Sequence, residues 1–199
     1  MKTIIVDREP VSEINDFFYF PTQVSIFKTL KFLPIVRQAV EKELNSLINP
    51  NFNFPVQTGN LSNYSELQEY NQFILDASWQ FLDRQGYNVS NFSTFFIEHW
   101  IHFHPKFSYV EKHRHGLGSQ VSGVYILKFQ NNKMSIFDPR NGLSQMLVHQ
   151  KDTPNITCAT TNIFFDVEPG NMYFFNSWLE HSFDINQSDE PLIFTNSIS

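Results

Sequence analysis

At 199 residues the chain is long enough to bury a sizeable core and short for two ordinary domains, so one domain is expected over residues 1–199. Apolar residues at 41% and charged residues at 17% exclude a disordered chain, and a formal net charge of −6 with a pI near 5.6 excludes a general nucleic-acid binder, which needs concentrated Lys and Arg. Cys158 is the single cysteine, which rules out an intrachain disulfide and gives no sign of an oxidising compartment; no segment reaches the length of a membrane span, the run Ile4-Ile5-Val6 is too short for a secretory core, and a soluble cytoplasmic protein is expected.

Residues 17–32 are aromatic and β-branched and predict a first strand before Pro34. From Pro34, the positions Ile35, Val36, Ala39, Val40, Leu44, Leu47 and Ile48 recur at helical spacing, with Asn49-Pro50 as the stop. Residues 49–64, rich in Asn, Pro, Gly and Ser, read as a surface loop. Ser65 and Gln68 have the form of a capping box opening a second helix, whose face is marked by Leu67, Tyr70, Phe73, Ile74, Ala77 and Phe81 and which ends at Gly86.

Beyond residue 92 the period changes. The runs 95–104, 120–129, 133–138, 163–167, 172–175 and 192–197 read as short strands divided by turns, and the 22 phenylalanines, clustered with β-branched neighbours, suit sheet packing. A helical part over about 34–86 followed by a strand-rich core over about 92–199 predicts a mainly β fold with flanking helices, in which two helices pack on one side of a jelly-roll-like sandwich or barrel.

His113-Arg114-His115 precedes the strand 120–129, and in an extended segment the two imidazoles leave one face together. His181 follows the apolar strand 172–175, and antiparallel pairing can bring so distant a strand alongside. On spacing alone the His-x-His pair reads first as two partly exposed strand histidines; as a metal site, three imidazoles with open positions suit iron, zinc, copper or nickel.

From Phe20-Pro21-Thr22 onward the chain resembles a family of 2-oxoglutarate–iron(II) oxygenases common in marine bacteria and their phages. The resemblance rests, in order, on Ile97-Glu98-His99-Trp100, His113-Arg114-His115, Ser122-Gly123-Val124-Tyr125-Ile126-Leu127, Asp138-Pro139-Arg140, Glu168-Pro169-Gly170 and Phe175-Asn176-Ser177-Trp178-Leu179-Glu180-His181. It implies a double-stranded β-helix, Fe(II) held by His113, His115 and His181, and 2-oxoglutarate as co-substrate. It also implies a hydroxylase, in the cytoplasm of the host if the gene is a phage's; no charge pattern or motif distinguishes a free amino acid, a peptidyl side chain, a lipid or a small metabolite as its substrate. His115 takes the place where the wider superfamily commonly has a carboxylate.

The family carries an Arg about ten residues past the last histidine, where a guanidinium can grip the far carboxylate of 2-oxoglutarate in bidentate fashion. Here Leu192-Ile193-Phe194-Thr195 stands there, and no Lys or Arg follows residue 151. Lys128 and Arg140 are the candidate replacements, although Lys128 could simply end an edge strand in water and Asp138-Pro139-Arg140-Asn141-Gly142 is good turn chemistry. Tyr125, alternating with Gly123 and Leu127, is a candidate donor to the co-substrate. Trp100, His102 and His104 share a strand face and are candidate pocket lining, and Asp138 is a candidate oxygen ligand or turn cap.

Two other functions fit the residues. A cupin-like metalloprotein shares the barrel and a His-x-His, but Ser119 and Gln120 occupy the region of the expected cupin glutamate. A non-catalytic jelly-roll binding module, or phage accessory protein, would explain the missing Arg. No membrane or nucleic-acid partner is expected, and exposed strand edges could pair two copies as a homodimer.

Overall fold

The computed structural model describes residues 20–47, 54–116, 118–140, 142, 145, 146, 148, 150, 151 and 154–199. Parts of several expectations lie outside these residues: the N-terminal run, positions 17–19, Ile48 with the stop Asn49-Pro50, and Asn141.

The first strand is shorter than its apolar run, because β1 (Val24–Lys28) gives way to a 3-10 turn over Leu30–Phe32. Helix α1 (Leu33–Leu47) then begins with Pro34 in its first turn, where the missing N–H costs nothing. Its buried face is Val36, Ala39, Val40 and Leu44, the three-to-four spacing that puts side chains on one stripe. A short strand β2 (Val56–Thr58) follows.

The capping box at Ser65 does not form. Residues Ser65–Leu67 make a 3-10 turn, and Asn60 instead accepts the Ser62 N–H one turn earlier. Helix α2 (Gln68–Arg84) follows and ends as predicted at Gly86, whose φ of 89° lets its N–H return to Asp83 O and that of Tyr87 to Leu82 O.

The remaining strands are β3 (Glu98–His104), β4 (Val110–His113), β5 (Val121–Lys128), β6 (Lys133–Phe137), β7 (Asn162–Asp166), β8 (Asn171–Asn176), β9 (His181–Phe183) and β10 (Leu192–Ile198). Six strands pair in the order β1-β8-β5-β10-β3-β2 and four in the order β4-β9-β6-β7, all antiparallel. This is the double-stranded β-helix, and both helices lie on the outer face of the larger sheet.

Alternation along β5 divides the core into two layers. Val121, Tyr125 and Leu127 face α1 and α2 and pack with Val36, Val40, Tyr70 and Ile74. Val124 and Ile126 point the other way, to Met134, Ile136, Phe183 and Phe194 between the sheets. Each such fully buried large apolar side chain contributes roughly 1.5–3 kcal/mol. Arg37 on α1 donates through Nε and Nη2 to Leu127 O, at 3.0 and 2.6 Å, and Tyr70 on α2 shares a buried 2.8 Å hydrogen bond with Thr195 of β10, so polar links fix both helices on the sheet. No helix among the described residues is long and apolar enough to cross a membrane.

Candidate metal centre

The smaller sheet assembles the histidines. Strands β4 and β9 pair so that His113 stands opposite His181, with ring centroids 4.2 Å apart. His115 lies just past the end of β4, where its backbone N–H donates to Ser177 O at 2.9 Å, and Ser177 is itself tied to Ser122 through a buried 3.1 Å contact between their hydroxyls. The His115 ring sits 5.2 Å from each of the other two, and one nitrogen from each of the three rings lies within 4.8 Å of the others.

Backbone carbonyls two residues upstream orient two of the rings. His181 Nδ1–H donates to Leu179 O at 3.0 Å and His113 Nδ1–H to Glu111 O at 2.8 Å, which leaves each Nε2 as an unprotonated lone pair. His181 Nε2 is buried with no hydrogen-bond partner. Asn196 Nδ2 approaches His115 Nε2 at 3.5 Å. Phe175 lies against His181 and Trp100 against His115, at 4.7 and 5.8 Å between centroids, so aromatic neighbours restrict both rings.

Burial pushes His181 down to about 3, with further lowering from His113 and His115, and pushes His115 down to about 4 with help from His113. Neutral imidazole is the form that binds a metal. An unpartnered buried nitrogen and two oriented neighbours fit a divalent ion with open positions, since nothing else at the site accepts or donates to His181 Nε2.

Other candidates fall elsewhere. Tyr125 is no co-substrate donor in this fold: it faces the helices rather than the space between the sheets, donates to Thr29 O at 2.6 Å, and is raised to about 12 by burial. Arg140 folds back on Asp138, donating through Nε at 2.9 Å, and also donates to Cys158 O at 3.0 Å. Asp138 accepts the Arg140 backbone N–H as a turn cap, is held below the usual carboxylate range by that guanidinium, and is not in the histidine cluster. Lys128, half-exposed at the end of β5, forms an ion pair with Glu190. No Lys or Arg among the described residues is buried.

Trp100, His102 and His104 do share the face of β3 that looks between the sheets. Trp100 Nε1–H donates to His102 Nε2 at 2.6 Å, and His102 stacks on Phe194 at 4.4 Å. His99, on the opposite face, packs against Phe96 and Tyr70. Near the turn that holds His115, a cavity of about 400 Å³ is lined by Trp79, Phe92, Phe95, Ile97, Asn176 and Trp178 among others, with no charged side chain. Sequence reasoning missed the orienting carbonyls of Glu111 and Leu179 and the neighbour Asn196, and quoted Ser177 without a role. Glu111 and Leu179 each stand two residues upstream of a candidate ligand, a signal that carries meaning only once β4 and β9 are known to be strands; no comparable signal marks Ser177 or Asn196.

Residues 98–195 match the model of a family described as "Putative 2OG-Fe(II) oxygenase". No curated protein matches the chain. Among solved structures, the chain is similar to the non-heme alpha ketoglutarate dependent epimerase SnoN from nogalamycin biosynthesis, at 9% identity and a TM-score of 0.60 over 89% of this chain and 78% of that one. It is similar to a Pseudomonas putida prolyl-4-hydroxylase at 14% identity and a TM-score of 0.54 over 89% and 92%. It is also similar to an oxidoreductase of the 2OG-Fe(II) oxygenase family from Burkholderia pseudomallei, at 11% identity and a TM-score of 0.57 over 88% and 82%. At such identities the likeness is one of fold.

Proposed function

We propose, from the match of residues 98–195 to the 2OG-Fe(II) oxygenase family model and from the histidine cluster, that the protein is a hydroxylase whose iron is held by His113, His115 and His181. The observation that carries the ligand assignment is the buried, unpartnered Nε2 of His181 beside two other imidazole rings. Bound together, iron(II) and 2-oxoglutarate supply the activation of dioxygen that oxidises a C–H bond of the substrate.

The residues of this chain contribute position and exclusion of water. His113, His115 and His181 would hold the ion through one ring nitrogen each. An all-imidazole set would leave the ion more of its positive charge than a set that includes a carboxylate. Phe175, Phe183 and Phe194 line the interior behind the triad and keep it dry. The cavity beside Trp178, lined largely by aromatic and aliphatic side chains, suits a substrate with apolar surface.

The test is anaerobic loading with iron(II), followed by thermal unfolding with and without 2-oxoglutarate and measurement of succinate in air. About one iron per chain and a further rise in Tm with 2-oxoglutarate are expected. Failure to hold iron in the wild-type protein would sink the assignment.

A further inference from the structure

Two of the three proposed ligands are oriented by a backbone carbonyl, and the third is not. His113 and His181 each donate Nδ1–H to an oxygen two residues upstream, whereas His115, past the end of β4, meets a side chain 81 residues further along the chain: Asn196 Nδ2 lies 3.5 Å from its Nε2. Asn196 is 2% exposed and sits on an interior strand of the larger sheet, opposite Trp100 of β3 on one side and Val124 of β5 on the other. The Trp100 ring meets that of His115 edge to face, with 77° between the planes. A strand paired along both sides is a firm base for a side chain that orients a ligating ring.

A neutral imidazole has one N–H and one free lone pair, and only the lone pair can bind a metal. With Asn196 Nδ2 facing His115 Nε2, the amide donates to that lone pair, the ring proton stands on Nδ1, and the ring has nothing left for an ion. The same placement leaves Asn196 Oδ1 buried without a hydrogen-bond partner among the described residues. A half-turn about the Asn196 Cβ–Cγ bond exchanges two groups of nearly equal size and reverses the pairing. Oδ1 then accepts from His115 Nε2–H, and the lone pair of the ring stands on Nδ1. A carboxylate at this place would need no such partner, since it carries lone pairs on both oxygens; an imidazole does.

We propose that Asn196 is the positioning residue for His115: its amide oxygen holds the Nε2 proton, so that His115 binds the ion through Nδ1 while His113 and His181 bind through Nε2. The assignment rests on the proposed ligand set and not on the reaction that follows. It makes the third ligand depend on β10, so that the larger sheet as well as the smaller one shapes the centre.

The test uses the full-length protein with isotope-labelled histidine, loaded with zinc(II), and long-range proton–nitrogen correlation spectra, which report for each ring the nitrogen that carries the metal and the one that carries the proton. Zinc is expected on Nδ1 of His115 and on Nε2 of His113 and His181, with His115 Nε2–H exchanging slowly with solvent. Asn196→Leu, close in size but without an acceptor, should weaken zinc binding by about tenfold to a hundredfold, the usual cost of losing the outer partner of a ligand, and should speed that exchange. Asn196→Asp, which keeps the acceptor, should restore the slow proton and binding through Nδ1. Zinc on His115 Nε2 in the wild type overturns the proposal, and the wild-type spectra decide this even if Asn196→Leu fails to fold. Wild-type affinity and exchange in Asn196→Leu overturn it as well. A wild-type protein that holds no zinc, or holds it without His115, brings down the ligand set, and this proposal with it.

Discussion

His113 and His181 face one another directly across the β4–β9 pair, and each gives its Nδ1 proton to a carbonyl two residues before it. The symmetry leaves two lone pairs on one side of the sheet. His181→Ala should therefore reduce metal content from about one ion per chain to background, a loss in affinity of at least about a hundredfold. Metal analysis after dialysis measures this, with an unchanged far-ultraviolet circular dichroism spectrum to show that the fold survives. Stoichiometric metal in this variant would exclude His181 as a ligand.

Removing the metal should also loosen the protein. A ligand bound only by the folded state, at a free concentration of about 100 times its Kd, contributes about 2.7 kcal/mol, or about 5–10 °C in Tm for a chain of this size. Differential scanning calorimetry before and after chelation should find a fall of that order, reversed by iron(II) or manganese(II).

His99 predicts a specific acid sensitivity. Both its ring nitrogens are buried without partners, and burial lowers it to about 3, whereas in the unfolded chain it titrates near about 6.5. Between those values the unfolded chain holds a proton that the folded one lacks, so the stability is complete above about pH 6.5 and drains away as the pH falls towards 3. Each pH unit costs about 1.4 kcal/mol. His99→Phe, which can keep the stacking on Phe96, should lose about 2 kcal/mol less than wild type between about pH 6.5 and about pH 5 in urea unfolding. Equal losses would mean that His99 does not titrate on unfolding in this range.

Gly123 is held by close packing rather than by its backbone angles. A Cβ built there would lie 2.7 Å from Ser197 Oγ and 3.2 Å from Phe174 Cε1. Gly123→Ala should destabilise by about 1–3 kcal/mol, and Ser197→Gly should recover part of that in a double-mutant cycle. Strict additivity of the two changes would refute the contact.

These residues also mark where sequence reasoning works and where it stops. Helix α1 and the long strands were legible because their apolar positions keep a period over many residues, as in Val36, Ala39, Val40 and Leu44. Strands β4 and β9 were not read as strands: Val-Glu-Lys-His and His-Ser-Phe are too short and polar to carry a period, although both end on or begin with a proposed ligand. That Tyr125 shares a face with Gly123 and Leu127 was readable. Which side that face meets was not, because β5 is buried on both sides up to Leu127. The failed capping box at Ser65 has a similar origin, since Asn60 caps an earlier turn and the chain enters α2 through a second 3-10 turn.

The β4–β9 pair joins parts of the polypeptide separated by most of the strand-rich half, so no local fragment can gather the three rings. During synthesis the chain exposes His113 and His115 long before His181 emerges, and closing that long loop is among the slower events of such a topology. On the proposed ligand set, a growing chain cannot assemble the metal site before β4 and β9 have paired.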